Sequence, residues 1–287
     1  MSYQSILQAG SFNNRNIIVT GGGSGIGRCT AHELASLGAN VFLIGRNKEK
    51  LQTVKDEILA DGGQTAFFCC DIRQEVDVKD LVDKIIDQYG QIDGLVNNAG
   101  GQFPAPLSKI SKNGWDAVIS TNLTGGFLMA REVFNQSMSK NGGSIVNIVA
   151  DMWGGMPGMG HSGAARAGMA NFTQTAAYEW GHAGVRVNAV APGWIASSGM
   201  DTYPDDFKVV LKSLKKAVPL GRLGNEAEIS STLCFLLSDA ASYISGTVIR
   251  VDGAASQGNT AIYPLKEAEN LKPYKGFHRE VEPELFK

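Results

Sequence analysis

The first residues able to do chemistry are Thr20-Gly21-Gly22-Gly23-Ser24-Gly25-Ile26-Gly27. Glycine lets a backbone come close to a pyrophosphate, and free N–H groups at a helix start bind anionic oxygens. The run follows apolar Ile17-Ile18-Val19 and opens a helical pattern from Arg28 to Leu37. That is the strand-turn-helix setting in which such a turn holds a nucleotide. Its register is TGxxxGxG rather than GxGxxG, and a turn that is glycine-rich for structural reasons alone is the competing reading. A second apolar run ends Leu43-Ile44-Gly45-Arg46-Asn47. A carboxylate at that place takes the ribose 2′-OH of NAD. Here it is missing, and Arg46 can pair with a 2′-phosphate, so the expected cofactor is NADPH rather than NAD. A solvated turn arginine is the alternative.

These residues need a scaffold, and the rest of the chain supplies its pattern. Short apolar runs recur at 17–19, 41–44, 65–68, 94–96, 145–148, 185–190 and 248–251. Between them lie segments of helical period, such as Leu51, Val54, Ile58 and Leu59, or Val78, Leu81, Val82, Ile85 and Ile86. Strands alternating with helices, each strand nearly all apolar, predict an α/β single-domain doubly wound sheet of seven parallel strands, covered by helices on both faces. We divide the chain into an arm at 1–13, a domain at 14–256 with a lid at about 196–218, and a tail at 257–287. The tail is expected either to wrap a neighbouring subunit or to hang loose.

At 287 residues, 43% hydrophobic and 19% charged, the chain is neither disordered nor fibrous. A net charge of -2 gives no basic face for nucleic acid. The four cysteines have no framework spacing and read as reduced core thiols. No leader-like stretch, membrane-length apolar run or metal-ligand spacing is present, so the expectation is a cytoplasmic protein with neither membrane partner nor metal.

Further motifs follow in fixed order: Cys70-Asp71-Ile72, Asn97-Asn98-Ala99-Gly100, Thr121-Asn122-Leu123-Thr124-Gly125 and Ala191-Pro192-Gly193-Trp194-Ile195. With the glycine turn, they resemble the short-chain dehydrogenase/reductase family over about residues 14–256. The resemblance implies that Asp71 binds the adenine amine with Ile72 beside the ring. Asn98, Ala99 and Gly100 would line the dinucleotide channel, Pro192, Gly193, Trp194 and Ile195 would hold the carboxamide, and Asn122 would anchor a water chain. It also implies a homotetramer, built through the helices holding Asn122 and Arg166 and through the last strand.

The family's usual Tyr-x-x-x-Lys is absent. Ser162 stands in the Tyr position and Arg166 in the Lys position, and the preceding strand ends Val149-Ala150-Asp151 without the expected Ser. A serine hydroxyl is a far weaker acid than a phenol, and arginine keeps its proton. Alcohol–ketone chemistry should suffer; hydride addition to a conjugated thioester, with an oxyanion clamp, should suffer least. The runs His161–Gly168, Asn98–Phe103 and Cys234–Ser238 are similar to the trans-2-enoyl-CoA and 2,4-dienoyl-CoA reductases. The expected substrate is therefore an α,β-unsaturated acyl-CoA. The same stretch resembles enzymes of citronellol/citronellal oxidation, which is the alternative, and a catalytically silent NADP(H)-binding scaffold or sensor is a third reading.

Individual residues keep two readings each. Ser162 bonds the thioester oxygen or caps its helix. Arg166 holds the nicotinamide ribose and the enolate, or makes an ion pair. Asp151 is the substitute acid or a loop cap. His161 relays protons or is merely packed. Met152, Trp153, Met156 and Met159 receive an acyl chain or a neighbouring subunit. Lys208, Lys212, Lys215 and Lys216 meet coenzyme A phosphates or form a solvated face. Tyr178 and Trp180 are expected in core or interface packing.

Overall fold

The seven apolar runs all become strands of one parallel sheet. In a computed structural model that describes residues 2–258, 264–266 and 271–287, they are β1 (Asn16–Thr20), β2 (Asn40–Gly45), β3 (Gln64–Cys69), β4 (Gly94–Asn97), β5 (Gly143–Ile148), β6 (Val185–Pro192) and, after two short strands, β9 (Val248–Val251). The spatial order is β3-β2-β1-β4-β5-β6-β9, every pairing parallel. Order reverses between β1 and β4, and open α/β sheets bind ligands at the strand ends beside such a switch. β7 (Ile195–Ala196) and β8 (Gly224–Asn225) form a separate small pair that anchors the loop after β6.

The helices are α1 (Gly25–Ser36), α2 (Lys48–Ala60), α3 (Glu75–Tyr89), α4 (Lys112–Ile119), α5 (Gly125–Val133), α6 (Ser139–Asn141), α7 (Gly160–Trp180), α8 (Asp205–Ser213) and α9 (Glu226–Leu237). Successive strand residues point to opposite faces. Ile17, Val19, Val41 and Leu43 therefore pack with Leu34 of α1, Leu51 and Val54 of α2 and Leu233 of α9. Ile18, Phe42 and Ile44 pack on the other face with Val78 and Val82 of α3 and Leu128 and Val133 of α5. Two cores on one sheet make the doubly wound domain.

Three expectations change. Leu59 is 48% exposed, because the α2 stripe ends at Ile58. Tyr178 is 90% exposed on the single chain, which is compatible with the interface reading, and Trp180 stacks on Phe134. Of the cysteines, Cys29, Cys70 and Cys234 are buried but Cys69 is exposed at the end of the edge strand β3. Arm residues 2–13 and tail residues 271–287 are packed on the domain rather than loose. Phe12 is fully buried in the first core, and Tyr3 packs with Phe277 against Cys29 and Ala227. Residues 259–263 and 267–270 of the tail lie outside the described residues.

Candidate active site

The glycine turn has the shape that the dinucleotide reading needs. Gly21 and Gly25 take φ of +66° and +56°, which disfavours any residue with a Cβ. A Cβ on Gly27 would lie 2.3 Å from the Gly21 carbonyl oxygen, so α1 can start against the turn only without one. Asn98 fastens the turn from the neighbouring strand. Its Nδ2 donates to the Thr20 carbonyl at 2.9 Å, while the Asn98 and Ala99 amides both donate to Thr20 Oγ1 at 3.0 Å.

Above the turn lies a cavity of about 470 Å³. Gly21, Gly23 and Ser24 form one wall; Arg46, Lys50, Asp71, Ile72, Arg73, Ala99 and Gly100 complete it. Most of the predicted adenosine-side residues are thus brought together. Lys50 and Arg73 join them unforeseen; Arg73 sits only two residues beyond Asp71, and that proximity was the available signal. Arg73 grips both carboxylate oxygens of Asp71, its Nε at 2.8 Å and 3.1 Å and its Nη2 on Oδ2, and holds the Asp71 carboxyl below its ordinary range. Three cations face one carboxylate already paired, an excess of positive charge suited to a phosphorylated dinucleotide.

A second cavity of about 370 Å³ shares Gly100 with the first. Ile148, Val149, Ala150 and Arg166 form its floor, Pro192–Ile195 one side, and Ser197, Gly199, Met200, Thr202 and Tyr203 the other. Arg166 projects from α7 and is largely buried. Its Nη1 donates to the Ile148 carbonyl at 2.5 Å, and its Nε has no partner. Burial pushes its pKa down to about 10, which still leaves it charged at neutral pH. Among the described residues no carboxylate pairs with it, so the ion-pair reading of Arg166 is corrected: it is an uncompensated buried cation at a cavity wall.

Ser162 does not reach that wall. It is completely buried, and its Oγ donates to Gln102 Oε1 at 2.7 Å. Gln102 does line the cavity, and its Nε2 donates to the Tyr203 hydroxyl at 2.9 Å. The chain Ser162–Gln102–Tyr203 spans three loops and helices far apart in sequence, which is why residue order did not reveal it. His161 is fully buried beside the Phe103 ring, with its Nδ1 accepting from the Ser162 amide at 2.8 Å. Asn122 sits in a π-helical turn, Ser120–Thr124, between α4 and α5. Its side chain holds Gly101 at both ends, accepting from the amide at 2.8 Å and donating to the carbonyl at 2.9 Å. Asp151 follows the floor strand but is not among the residues lining either cavity.

The methionine loop is not the cavity wall either. Met159 is buried, Met152 packs with Val149 and Met169, and the Trp153 ring covers Arg250 with its Cζ at 3.6 Å. The apolar wall comes instead from Val149, Trp194, Ile195 and Met200. Lys208 pairs with Asp205, and Lys212, Lys215 and Lys216 are exposed on α8 and the turn after it. Among the described residues no helix is long and apolar enough to cross a membrane, and no group of three or more His, Cys, Asp or Glu is placed to hold a metal ion.

Comparison with known proteins adds independent findings. A family model described as Enoyl-(Acyl carrier protein) reductase matches residues 21–256. A Bacillus subtilis (strain 168) protein named "Probable 2,4-dienoyl-CoA reductase [(2E)-enoyl-CoA-producing]" is 40% identical over 240 residues, 83% of this chain and 94% of that protein. A Staphylococcus epidermidis 3-oxoacyl-[acyl-carrier-protein] reductase FabG is 36% identical over 84% of this chain and 98% of its own. Among solved structures, the citronellol catabolism dehydrogenase (AtuB) of Pseudomonas aeruginosa PAO1 superposes with a TM-score of 0.81 at 61% identity, covering 89% of this chain and all of that one.

Proposed function

The chain belongs to the short-chain dehydrogenase/reductase family of oxidoreductases, and from that premise we propose that it reduces an α,β-unsaturated acyl-CoA, a 2-enoyl- or 2,4-dienoyl thioester, with NADPH. One observation carries the reading: Arg166, a permanent cation without a carboxylate partner, forms the cavity floor where the family's usual Lys would stand. A buried cation aimed at developing negative charge stabilises an enolate oxygen without having to reorganise. A dinucleotide held by its pyrophosphate at the glycine turn would supply the hydride from its nicotinamide end. The chain's own groups then have separate tasks. The glycine turn and Arg46, Lys50 and Arg73 hold the phosphates. Pro192–Ile195 form the wall for the nicotinamide end. Asn122 sets the Gly100–Gly101 backbone between the two cavities. Val149, Trp194, Ile195 and Met200 take the acyl chain and exclude water. Ser162 acts through Gln102. Asp151 is not given a place in the reaction.

The 61% match to the citronellol catabolism dehydrogenase favours a second reading, oxidoreduction of an acyclic terpenoid alcohol or aldehyde. A mixture of protein and NADPH with 2-enoyl-CoA, 2,4-dienoyl-CoA or citronellal, followed by loss of the reduced-nicotinamide absorbance, separates them. The proposal expects kcat/KM for a thioester to exceed that for citronellal by about tenfold or more. Turnover of citronellal alone would transfer the function to the terpenoid reading. Tight NADPH binding without turnover of any of the three would point to the silent scaffold. The homotetramer implied by resemblance is checked separately by light scattering.

A further inference from the structure

The cavity holds one group that the family's usual arrangement does not explain. Tyr203 ends the lid turn Ser198–Thr202, and its ring lies against Phe207 of α8 at 5.2 Å between centroids. Its hydroxyl accepts from Gln102, which in turn accepts from Ser162. The donors in this chain therefore all run toward Tyr203, and the Tyr203 proton is not spent in making it. Three hydroxyls line this wall: Ser197, Thr202 and Tyr203. Thr202 donates to the Gly199 carbonyl at 2.7 Å, and an alkyl hydroxyl is in any case a far weaker acid than a phenol. Arg166 holds its proton at neutral pH, and His161 lies behind Ser162 rather than on the wall.

We infer that Tyr203, brought to the cavity by the lid, is the acid that gives the substrate its proton, with Gln102 and Ser162 as positioning residues. This rests on reading the cavity as the family's substrate site, and it holds for either substrate class. Hydride addition oxidises the nicotinamide by two electrons and leaves the substrate one proton short. The Tyr203 O–H bond then breaks. Its proton bonds to Cα of the enolate, or to the oxygen of an alkoxide if the substrate is an aldehyde. The electron pair stays on the phenolate, which recovers a proton from water at the lid edge. The phenol lost from α7 is thus returned from the opposite wall, and acid chemistry becomes conditional on where the lid sits.

The test uses Tyr203→Phe, which keeps the ring against Phe207, with Gln102→Leu as a second variant. With NADPH and a turned-over substrate, kcat should fall by about 100-fold or more for Tyr203→Phe, and by less for Gln102→Leu. KM and the dissociation constant for NADPH alone should stay within about twofold, the split expected of a group acting only in the transition state. A second readout needs no cofactor. Acetoacetyl-CoA enolises without hydride, and exchange of its Cα protons with deuterated solvent in the cavity should be slower in Tyr203→Phe than in the wild type at equal occupancy. A Tyr203→Phe enzyme within about threefold of wild-type kcat overturns the inference, whatever the substrate. If the wild type ignores thioesters but reduces citronellal, the thioester reading falls. The role of Tyr203 then stands if the same variant loses the same factor on the aldehyde, and falls if it does not. A wild type that neither binds acetoacetyl-CoA nor turns over any substrate removes the cavity's reading as a substrate site, and Tyr203's role with it.

Discussion

Arg46 and Arg73 divide one task. Arg46 faces the nucleotide cavity directly, whereas Arg73 reaches it while clamping Asp71. Removing Arg46 should cost one charge-assisted contact to a 2′-phosphate, so Arg46→Ala should weaken NADPH binding by about tenfold or more and leave NADH within about twofold. Arg73→Ala should do more than that: it removes a cation and also frees the Asp71 carboxylate to repel phosphate, narrowing the preference further. Fluorescence titration with both reduced dinucleotides measures this; equal losses for NADH and NADPH would refute a role in selecting between them. Arg46 was legible in the sequence because its place after β2 is defined by the strand before it. Arg166 was legible only through the family resemblance, because it stands where the usual Lys would be, four residues after Ser162. Gln102 and Tyr203 were not, because their meeting is made by two loops folding onto each other across 101 positions, a separation to which periodicity is blind.

At the next scale, α9 shows how an element's packing sets the chemistry of its first residue. Asn225 caps the helix from outside, accepting from the Glu228 amide at 3.0 Å, while the Glu228 side chain accepts from the Asn225 amide at 3.0 Å. Glu226, one position in, is turned inward and buried where α1 meets α9. Desolvation pushes its pKa up to about 7, against partial compensation from Arg28. A carboxyl raised in the native state binds more protons there than in the unfolded chain. Stability is thus lost as pH rises from the ordinary value of 4.5 and the loss is complete above about 7. Glu226→Gln, which cannot ionise, should stabilise the protein by up to roughly 3 kcal/mol at pH 8, and hardly at all at pH 4.5. Thermal melts of both proteins at the two pH values measure it; a gain independent of pH would show that Glu226 is not the titrating group. The element order itself was readable, since short apolar runs alternating with segments of helical period are the pattern of doubly covered parallel strands. The π-helical turn at Ser120–Thr124 was not, because no residue type there distinguishes an i→i+5 bond from an ordinary helical one.

Across the whole molecule, the last residues join parts that the sheet does not. Tyr274 donates through its hydroxyl to the Gln4 carbonyl, and its own carbonyl accepts from Asn225 at 2.7 Å. The Phe277 ring lies under the Arg28 guanidinium at 5.0 Å, beside His32 and Tyr3. His278 at 2.9 Å and Arg279 at 2.7 Å converge on Asp61 at the end of α2, and Arg279 holds that carboxyl down at about 2. Val281 then borders a cavity with Gly23–Gly25 and lid residue Ser198, and the amides of Glu284 and Leu285 donate to Asp201 in the lid. Residues 271–287 run as a strap from the far end of α2, past the glycine turn, to the segment that carries Asp201 and Tyr203. Burying Phe277 alone is worth about 2 kcal/mol, which is enough to hold a short segment in place. Ending the chain at residue 270 should therefore do two things. It should lower the melting temperature, because Tyr3 and Cys29 lose their cover. It should also raise backbone hydrogen exchange in residues 196–218 well beyond that in the sheet, because Asp201 loses its tie. Asp201→Asn keeps the tail but weakens its grip on the lid, and should raise lid exchange with little change in melting temperature. If truncation lowered stability and left lid exchange unaltered, the tail would be a cover for α1 and nothing more; exchange rising in both variants makes it the element that sets how long Tyr203 stays over the cavity.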